Sequence, residues 1–226
     1  DGFINNNSKI ILEQNEIIIL PSPYLSIPTA SNFLCFYFKE FLNNFLFENN
    51  KNAAVESKIF RNQTYVTDYG NLDFEERIKL ISNDTYYIDR EFINGKFCLF
   101  VDDIKITGSH EHTVNKILDQ YEVRGDFYFI YFAELVNKDI HPNIENYFNY
   151  FSVKGIEEII DVINRKNFQF NTRIIKYILN LSDDNLTLLL NNLNSIKREE
   201  LFILSISNNY HKINEYSKSL KTIKSY

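Results

Sequence analysis

Some residue types are scarce in this sequence, and each scarcity excludes a class of protein. The 226 residues include two cysteines, four prolines and six glycines, and neither methionine nor tryptophan occurs. Cys35 and Cys98 both lie inside apolar runs, so a disulfide framework is excluded and a reducing, cytoplasmic environment is expected. No run reaches the roughly 18 uninterrupted apolar residues of a membrane span. The opening stretch, DGFINNNSKI, also lacks the basic and apolar regions of a signal peptide.

The overall composition is that of a folded, acidic protein. Hydrophobic residues make up 44% of the chain and charged residues 24%, which is enough apolar material for a buried core. The length fits one domain of ordinary size, or one domain with an appendage. The net charge of -6 argues against a surface that coats nucleic acid, although a local basic pocket would be compatible with it.

Up to about residue 140, apolar runs alternate with helical patterns. The strand candidates are EIIIL (16–20), VESKIF (55–60), FCLFVDD (97–103) and DFYFIYFAELV (126–136). Helical spacing is found between them, at 31–47, 73–82 and 109–121, and a polar, turn-rich loop spans 61–72. Alternation of this kind predicts an α/β fold with an open, mostly parallel twisted sheet covered by helices.

The helix predicted over 31–47 is rich in aromatic residues. Apolar residues at 34, 38, 41, 42 and 45 share one helical face, so we expect the aromatic rings of this helix to pack in the core. The rings are those of Phe33, Phe36, Tyr37, Phe38, Phe41, Phe45 and Phe47.

After residue 140 the pattern becomes helical throughout. The segments GIEEIIDVINR, TRIIKYILNL, SDDNLTLLLNNLNSI and KREELFILSIS all show a 3.6-residue apolar period, and Ser182, Asp183 and Asp184 provide a helix-start signal. The last segment, NEYSKSLKTIKSY, is more polar and is expected to fray. We therefore predict two domains, an α/β domain over 1–140 and an all-helical C-terminal extension over 141–226.

The stretch FCLFVDDIKITGSHEHT (97–113) gives the clearest indication of a ligand-binding site. Asp102 and Asp103 follow a buried strand, and a turn of small residues then leads into a helix. In an open α/β sheet ligands bind at the carboxyl ends of strands, and the first turn of a helix binds phosphate through its N–H groups. Gly108 lets the backbone approach an anion, while Thr107 and Ser109 add hydroxyl donors. Because carboxylates suit sugar hydroxyls or a divalent metal, the pattern describes a site for a phosphorylated ribose.

This stretch resembles the phosphoribosyl-diphosphate (PRPP) binding motif of type I phosphoribosyltransferases, in which two acidic residues and a Thr-Gly turn follow an apolar strand. The resemblance covers about residues 16–136 and implies the open sheet of that family. It implies that Asp102 and Asp103 are the catalytic-centre carboxylates, which hold the ribose hydroxyls and meet metal only indirectly, through Mg-PRPP. It also implies a loop that cradles the 5′-phosphate, formed by Lys105, Ile106, Thr107, Gly108, Ser109 and His110.

Two positions of this loop depart from the family pattern. Lys105 is basic where a small or apolar residue is usual, and His110 stands where threonine is common. An imidazole N–H could replace the threonine hydroxyl at that position. The spacing of His110 and His112 places their rings about 200° apart on a helix, which suits one metal ion poorly. We therefore expect His110 in the loop and His112 on the helix surface.

Two further segments occupy places that have a role in the family. A pyrophosphate-binding loop follows the first strand of these enzymes, and here Ser22, Pro23 and Tyr24 follow it, without the glycine or basic residue often found there. A mobile flap follows the second strand, and the segment 61–72, with Arg61 and Tyr65, fits it in place and length. Together with Thr-Gly-Ser-His-Glu, this segment resembles the divergent phosphoribosyltransferases of bacterial stress and conflict operons, including tellurite-resistance-type clusters.

The implied function is transfer or hydrolysis of a 5-phosphoribosyl group with release of pyrophosphate, using Mg²⁺ and PRPP or another ribose-5-phosphate compound. The alternative is a non-catalytic module that senses PRPP or a nucleotide and acts through a partner, which the poor pyrophosphate loop favours. A generic phosphate-binding hydrolase is a third hypothesis, but the sequence has no Gly-x-Ser-x-Gly nucleophile motif. The aromatic helices are compatible with a homodimer, and an operon-encoded protein is the other candidate partner. The sequence does not indicate which acceptor would receive the phosphoribosyl group.

Overall fold

The structure is a computed structural model that describes residues 2–61, 75, 86–151 and 153–226. The described residues group into two compact units. One unit contains residues 2–24, 29–61 and 86–140 together with Glu75, and the strands belong to it. The other contains Leu25–Pro28 and His141–Tyr226, and its regular structure is helical.

The first unit is built on a parallel sheet. Its strands are β1 (Ile17–Pro21), β2 (Val55–Glu56), β5 (Phe97–Lys105) and β6 (Asp126–Glu134). They form a four-stranded sheet in the order β2-β1-β5-β6, and each neighbouring pair is parallel. A separate antiparallel ribbon pairs β3 (Phe60–Arg61) with β4 (Tyr86–Tyr87). The predicted α/β fold with an open parallel sheet is therefore confirmed.

The helices of the first unit precede, connect and cover these strands. They are α1 (Gly2–Asn6), α2 (Ser8–Glu13), α3 (Ala30–Glu48), α4 (Arg90–Ile93) and α5 (Ser109–Gln120). The two short N-terminal helices and the β3–β4 ribbon were not predicted. The helix predicted over 73–82, apart from Glu75, and the predicted flap beyond Arg61 lie outside the described residues.

The central strand β5 divides its side chains between two apolar clusters. Phe97, Leu99 and Val101 pack with residues of β1 and α3, whereas Cys98 and Phe100 pack with residues of α5. Both faces of the strand are thus covered, which explains why its sequence is continuously apolar rather than alternating. The strand β6 lies at the edge of the sheet and is only half-buried along most of its length.

Both cysteines of the chain are buried in the first unit, Cys35 on α3 and Cys98 on β5. Burial raises the pKa of each thiol to about 12. The two side chains therefore act as small apolar residues of the core, as expected for Cys98 from its place inside an apolar strand.

The prediction that the aromatic residues of α3 pack in the core is wrong for the rings of Phe36, Tyr37, Phe41 and Phe47, which are exposed. The arc of α3 that faces the core is filled instead by smaller residues, Ser31, Cys35, Leu42 and Leu46. Aromatic residues lie on both sides of α3, so the aromatic content of the sequence did not by itself locate the buried arc.

The second unit is a set of helices around one apolar cluster. They are α6 (Ile144–Tyr150), α7 (Ile156–Ile163), α8 (Thr172–Leu179), α9 (Asp183–Asn192), α10 (Ser195–Ser207), a 3₁₀ turn (Tyr210–Lys212) and α11 (Asn214–Ser225). Side chains cap the N-termini of three of them: Asn171, Ser182 and Asn194 accept hydrogen bonds from backbone N–H groups of α8, α9 and α10.

The expectation that the last segment frays is wrong. Tyr216, Leu220 and Ile223 of α11 are buried in the apolar cluster of the second unit, and the Ser219 hydroxyl donates to the carbonyl of Leu179 (2.8 Å). The charged residues of this segment lie on the exposed side of the helix. The mean polarity of the sequence therefore does not reveal the short apolar face. Within the described residues, no helix combines the length and apolar character needed to cross a membrane.

We expect Leu220→Ala to lower the free energy of unfolding by about 2–4 kcal/mol, because it leaves a cavity under α11. The neighbouring substitution Lys221→Ala, on the exposed side of the same helix, should change it by less than about 0.5 kcal/mol. Urea denaturation followed by circular dichroism measures both. Equal stability of the two variants would show that α11 does not contribute to the core.

Candidate functional site

The carboxylates of the predicted site lie where β5 continues past the end of β1. Pro21, the last residue of β1, pairs with Val101, and the next residue, Asp102, pairs with Tyr131 of β6. The strand does not end at the acidic pair, as the sequence predicted, because β6 extends alongside it as far as the pair of Lys105 with Glu134. Asp102 is thus the first residue of β5 beyond the carboxyl end of β1, an edge at which ligands bind in open α/β sheets.

Asp102 is a buried carboxylate that accepts several hydrogen bonds. Its Oδ1 accepts from the N–H of Asp103 (2.9 Å) and its Oδ2 from Nδ1 of His110 (3.0 Å), while the hydroxyl of Ser22 also bonds to it. Burial by itself would raise the pKa of Asp102, but His110 and these hydrogen bonds outweigh it and hold the pKa below its ordinary value. Asp102 therefore connects the loop after β1, the strand β5 and the helix α5.

His110 lies in the first turn of α5 rather than in the loop before it, so this part of the prediction is wrong. Burial lowers the pKa of an imidazole, but the adjacent Asp102 carboxylate outweighs this effect and raises the pKa of His110, while the positive charge of Arg61 opposes the rise. With 42% of its side chain exposed, His110 borders the solvent side of the site. His112 is exposed on the surface of α5, as predicted.

Asp103 lies in a less favourable environment than its neighbour. Its Oδ1 accepts a hydrogen bond from the N–H of Ile104 (2.8 Å). Burial and the charge of Asp102 raise the pKa of Asp103 to about 6. The ionised Asp103 is thus a destabilised carboxylate, and donors such as the hydroxyls of a sugar would stabilise it.

The residues after β5 turn the chain sharply into α5. Gly108, the N-cap, has a φ of 81°, in the left-handed region that favours glycine. The Thr107 hydroxyl donates to Oγ of Ser109 (3.1 Å), and both Ile106 and Ser109 are buried beneath the turn. The first N–H groups of a helix cannot bond within it and lie at the positive end of its dipole. The predicted phosphate loop thus leads into the N-terminus of α5, where the N–H of Ser109 already donates to Oγ1 of Thr107 (3.4 Å).

Lys105 is held across this loop by an ion pair. Its Nζ lies 2.7 Å from Oε2 of Glu111, which also accepts from the hydroxyl of Tyr131 (2.9 Å). The bond with Glu111 raises the pKa of Lys105. Burial would raise the pKa of Glu111, but Lys105 and Tyr131 outweigh it and lower that pKa. Much of the charge of Lys105 is therefore compensated before any ligand arrives.

The predicted pyrophosphate loop is anchored on both sides. The N–H of Ser22 donates to Oγ of Ser31 on α3 (3.0 Å), Pro23 is half-buried, and Tyr24 forms a single bridge with Phe60 of β3. The ammonium group of Lys58 lies 3.5 Å from the centroid of the Tyr24 ring, and burial lowers its pKa. Lys58 thus brings to this loop the basic group that the loop itself lacks.

Arg61, the described end of the predicted flap, belongs to β3. Its N–H donates to the carbonyl of Tyr24 (3.4 Å), and its charge acts on His110. The structure therefore brings Arg61 into the same region as Asp102 and the two predicted loops. Tyr65, the other predicted flap residue, lies outside the described residues.

Sequence reasoning missed Lys58, Glu111 and Tyr131. Glu111 was visible only as an acidic residue in the first turn of a helix, and Tyr131 only as one aromatic residue of an apolar strand. The register of β6 against β5 brings Tyr131 to the site, and the bridge between Tyr24 and Phe60 brings Lys58 to it; neither pairing has a local sequence signal.

A parallel sheet of this order, with paired acids and a Thr-Gly-Ser turn at its carboxyl edge, is consistent with a phosphoribosyltransferase-type fold. The family model described as PRTase ComF-like matches residues 1–223, and the chain belongs to this family of phosphoribosyltransferase-like proteins. The match includes the C-terminal helices as well as the α/β unit. No curated protein matches the chain.

The two neighbouring carboxylates should affect stability in opposite directions. In the folded protein the pKa of Asp103, about 6, exceeds its ordinary value of 3.8, so stability falls as pH rises between these values. Asp103→Asn should therefore raise the free energy of unfolding at pH 7.5 by about 1 kcal/mol after allowance for solvent screening, and the gain should disappear near pH 4.

Asp102→Asn should have the opposite effect, since the pKa of Asp102 is lowered by folding. Its stabilising contribution is present above the ordinary pKa of an aspartate and is lost as pH falls. Urea denaturation at pH 4, 5, 6 and 7.5 measures both variants. If Asp103→Asn lowered the free energy of unfolding at pH 7.5, the assignment of Asp103 as the destabilised carboxylate would be contradicted.

Proposed function

We propose that the protein binds PRPP at the carboxyl edge of its sheet and transfers or hydrolyses the 5-phosphoribosyl group with release of pyrophosphate. The acceptor is left unassigned. One observation carries the proposal. Asp102 and Asp103 lie where β5 extends beyond the end of β1, shortly before the turn of residues 106–110, which we call the anion cradle. Membership of a phosphoribosyltransferase-like family supports it.

In this proposal each part of PRPP meets a different element. The 5′-phosphate lies in the turn from Thr107 to His110, against the N-terminus of α5. The ribose hydroxyls donate to Asp103, since Asp102 is already engaged by His110. The diphosphate lies towards the loop after β1, beside Lys58 and Arg61. Lys105 contributes little charge to the phosphate because Glu111 compensates it.

The residues fit a magnesium ion that arrives with PRPP. Protein-bound Mg²⁺ usually keeps several waters and is held by one or two carboxylates together with substrate phosphates. Within the described ranges no group of three or more His, Cys, Asp or Glu side chains is arranged to hold a metal by itself, whereas Asp102 and Asp103 offer a carboxylate pair. Asp102 and Asp103 would meet the ion only indirectly, through Mg-PRPP, and the charge of the ion would compensate that of the diphosphate.

The reaction would break the bond between C1′ and pyrophosphate and form a bond from C1′ to the acceptor atom or to water. Asp103 would fix the orientation of the sugar, and the cradle would fix its phosphate. Lys58 and Arg61 would stabilise the charge that develops on the leaving pyrophosphate. The chain would thus act chiefly by positioning and by electrostatic stabilisation.

A non-catalytic PRPP sensor is the second candidate, and the loop after β1 favours it. The N–H of Ser22, which a pyrophosphate-binding loop would present to its ligand, is used by Ser31. The loop also has no glycine to let the backbone approach an anion. Release of pyrophosphate from PRPP, assayed with a panel of purine and pyrimidine bases and with water alone, separates the transferase, the hydrolase and the sensor.

Calorimetric titration with PRPP in the presence of Mg²⁺ tests the proposed site. We expect the wild-type chain to bind, and Asp103→Asn to bind about tenfold to a hundredfold more weakly, because it removes a charged hydrogen-bond acceptor. The control is Asp126→Asn, at the opposite end of the sheet. Absence of binding of both PRPP and ribose 5-phosphate to the wild type, or equal binding to Asp103→Asn, would contradict the proposal.

Lys58→Ala tests whether Lys58 interacts with the diphosphate of PRPP rather than with its 5′-phosphate. It should weaken PRPP binding about tenfold, the cost of one charge-assisted hydrogen bond, while ribose 5-phosphate, which has no diphosphate, should bind within about twofold of wild type. Lys51→Ala, which removes an exposed lysine between α3 and β2, serves as the control. An equal loss for both ligands would place Lys58 away from the pyrophosphate.

A further inference from the structure

Two neighbouring side chains face away from α5 at the carboxyl ends of β5 and β6. Asp102 and Tyr131 are register neighbours, and each bonds to a side chain of α5. Because side chains alternate along a strand, the residues that follow them, Asp103 and Phe132, lie on the opposite face of the sheet. The strands keep the same register on both sides of this position, so Phe132 is the cross-strand neighbour of Asp103. Neighbouring strands lie about 4.8 Å apart, which places Phe132 beside the carboxylate proposed to hold the ribose.

Phe132 is exposed, whereas the apolar residues before it on the same face are packed. Tyr128 and Ile130 of β6 contact the apolar cluster that β1, β5 and α3 form. The side chain of Phe132 lies beyond this cluster and is 80% exposed. A single exposed apolar residue is ordinary on a protein surface, but this one borders the proposed ribose site. Its ring is therefore available to a ligand that occupies the site.

The order of the strands places Phe132 on the acceptor side of the ribose. This step rests on the proposed function, in which the diphosphate lies towards the loop after β1. A single displacement at a sugar carbon brings the nucleophile to the face opposite the leaving group. In the order β2-β1-β5-β6, the strands β1 and β6 flank β5 on opposite sides. An acceptor that attacks C1′ would therefore approach from the side of β6.

We propose that the acceptor is a flat heteroaromatic base and that it stacks on the ring of Phe132. A base in this position would present a ring nitrogen to C1′ of the ribose held by Asp103. The bond from this nitrogen to C1′ forms as the bond from C1′ to the pyrophosphate oxygen breaks. The electron pair of the broken bond leaves with pyrophosphate, and the proton of the ring nitrogen passes to water. Phe132 selects for a flat ring rather than for one base, because every base has a face that can stack.

Glu134 narrows the class of base. It follows Phe132 by two residues on β6, so its side chain lies on the same face, about 6.6 Å further along the strand. Its register neighbour Lys105 forms an ion pair with Glu111. Because a carboxylate only accepts hydrogen bonds, Glu134 favours a base whose edge presents N–H groups. Cytosine has an exocyclic amino group that meets this requirement, whereas uracil has a carbonyl at the same position.

Calorimetric titration of the full chain with CMP and with ribose 5-phosphate tests the stacking. The wild type should bind CMP at least fivefold more tightly than ribose 5-phosphate. Phe132→Ala should weaken CMP binding about fivefold to a hundredfold, as expected for the loss of one base stack, and should leave ribose 5-phosphate binding within about twofold of wild type. Its melting temperature should be unchanged, because the side chain is exposed.

Two further substitutions separate stacking from simple apolar contact. Phe132→Tyr should keep the affinity for CMP, and Phe132→Leu should lose it, since leucine is apolar but has no aromatic face. The matched control is Phe47→Ala, which removes an equally exposed ring from the last turn of α3. This turn lies at the other edge of the sheet, because α3 connects the two parallel strands β1 and β2.

The pair of CMP and UMP tests the role of Glu134. The wild type should bind CMP at least fivefold more tightly than UMP, since only cytosine can donate its exocyclic N–H to the carboxylate. Glu134→Gln should bring the two affinities within about twofold of each other, because an amide both donates and accepts hydrogen bonds.

The outcomes distinguish this inference from the proposed function. The inference is overturned, while the proposed function stands, if ribose 5-phosphate binds through Asp103 but CMP binds no more tightly than ribose 5-phosphate or UMP. An unchanged CMP affinity in Phe132→Ala or Phe132→Leu would overturn it in the same way. If neither PRPP nor ribose 5-phosphate binds, the proposed function fails and this inference fails with it.

Discussion

The hydrogen bond between Asp102 and His110 is the interaction on which the arrangement of the site depends. Burying a carboxylate is costly unless hydrogen bonds and an opposite charge compensate it. Asp102 meets both conditions with groups from three parts of the chain: the hydroxyl of Ser22 after β1, the N–H of Asp103 on β5 and the imidazole of His110 on α5. The cost of leaving this carboxylate without partners thus fixes the relative positions of two loops that lie far apart in sequence.

Because of the same bond, two adjacent and chemically identical side chains have different environments. Asp102 is satisfied within the protein, and its pKa is lowered, whereas burial and the neighbouring charge raise the pKa of Asp103. A ligand therefore gains most by interacting with Asp103. The same division explains how a histidine can occupy a position where threonine is common. The imidazole bonds to Asp102 inside the site and leaves the N-terminus of α5 at the turn formed by Thr107 and Gly108.

The sequence could predict the parts of this protein that depend on local patterns. Continuous apolar runs located β1, β5 and β6, and the order of acids, Thr-Gly and Ser located the turn into α5. Features that depend on pairing between distant segments could not be predicted. The extension of β5 past Asp102 requires β6 beside it, and the approach of Lys58 to Tyr24 requires the bridge to Phe60. The exposed arc of α3 was missed for a different reason: aromatic residues lie on both sides of this helix, and all of them were assigned to the core.

The burial of both native cysteines has a practical consequence for work on this protein. Thiolates are the reactive form of cysteine, and a pKa of about 12 leaves almost none at neutral pH. A cysteine introduced on the surface would therefore be the one readily labelled thiol, with no need to remove Cys35 or Cys98. The chain also has no tryptophan, so a single introduced indole would report fluorescence from one chosen position. Distances and motions around the site can thus be followed with one probe at a time in an otherwise native chain.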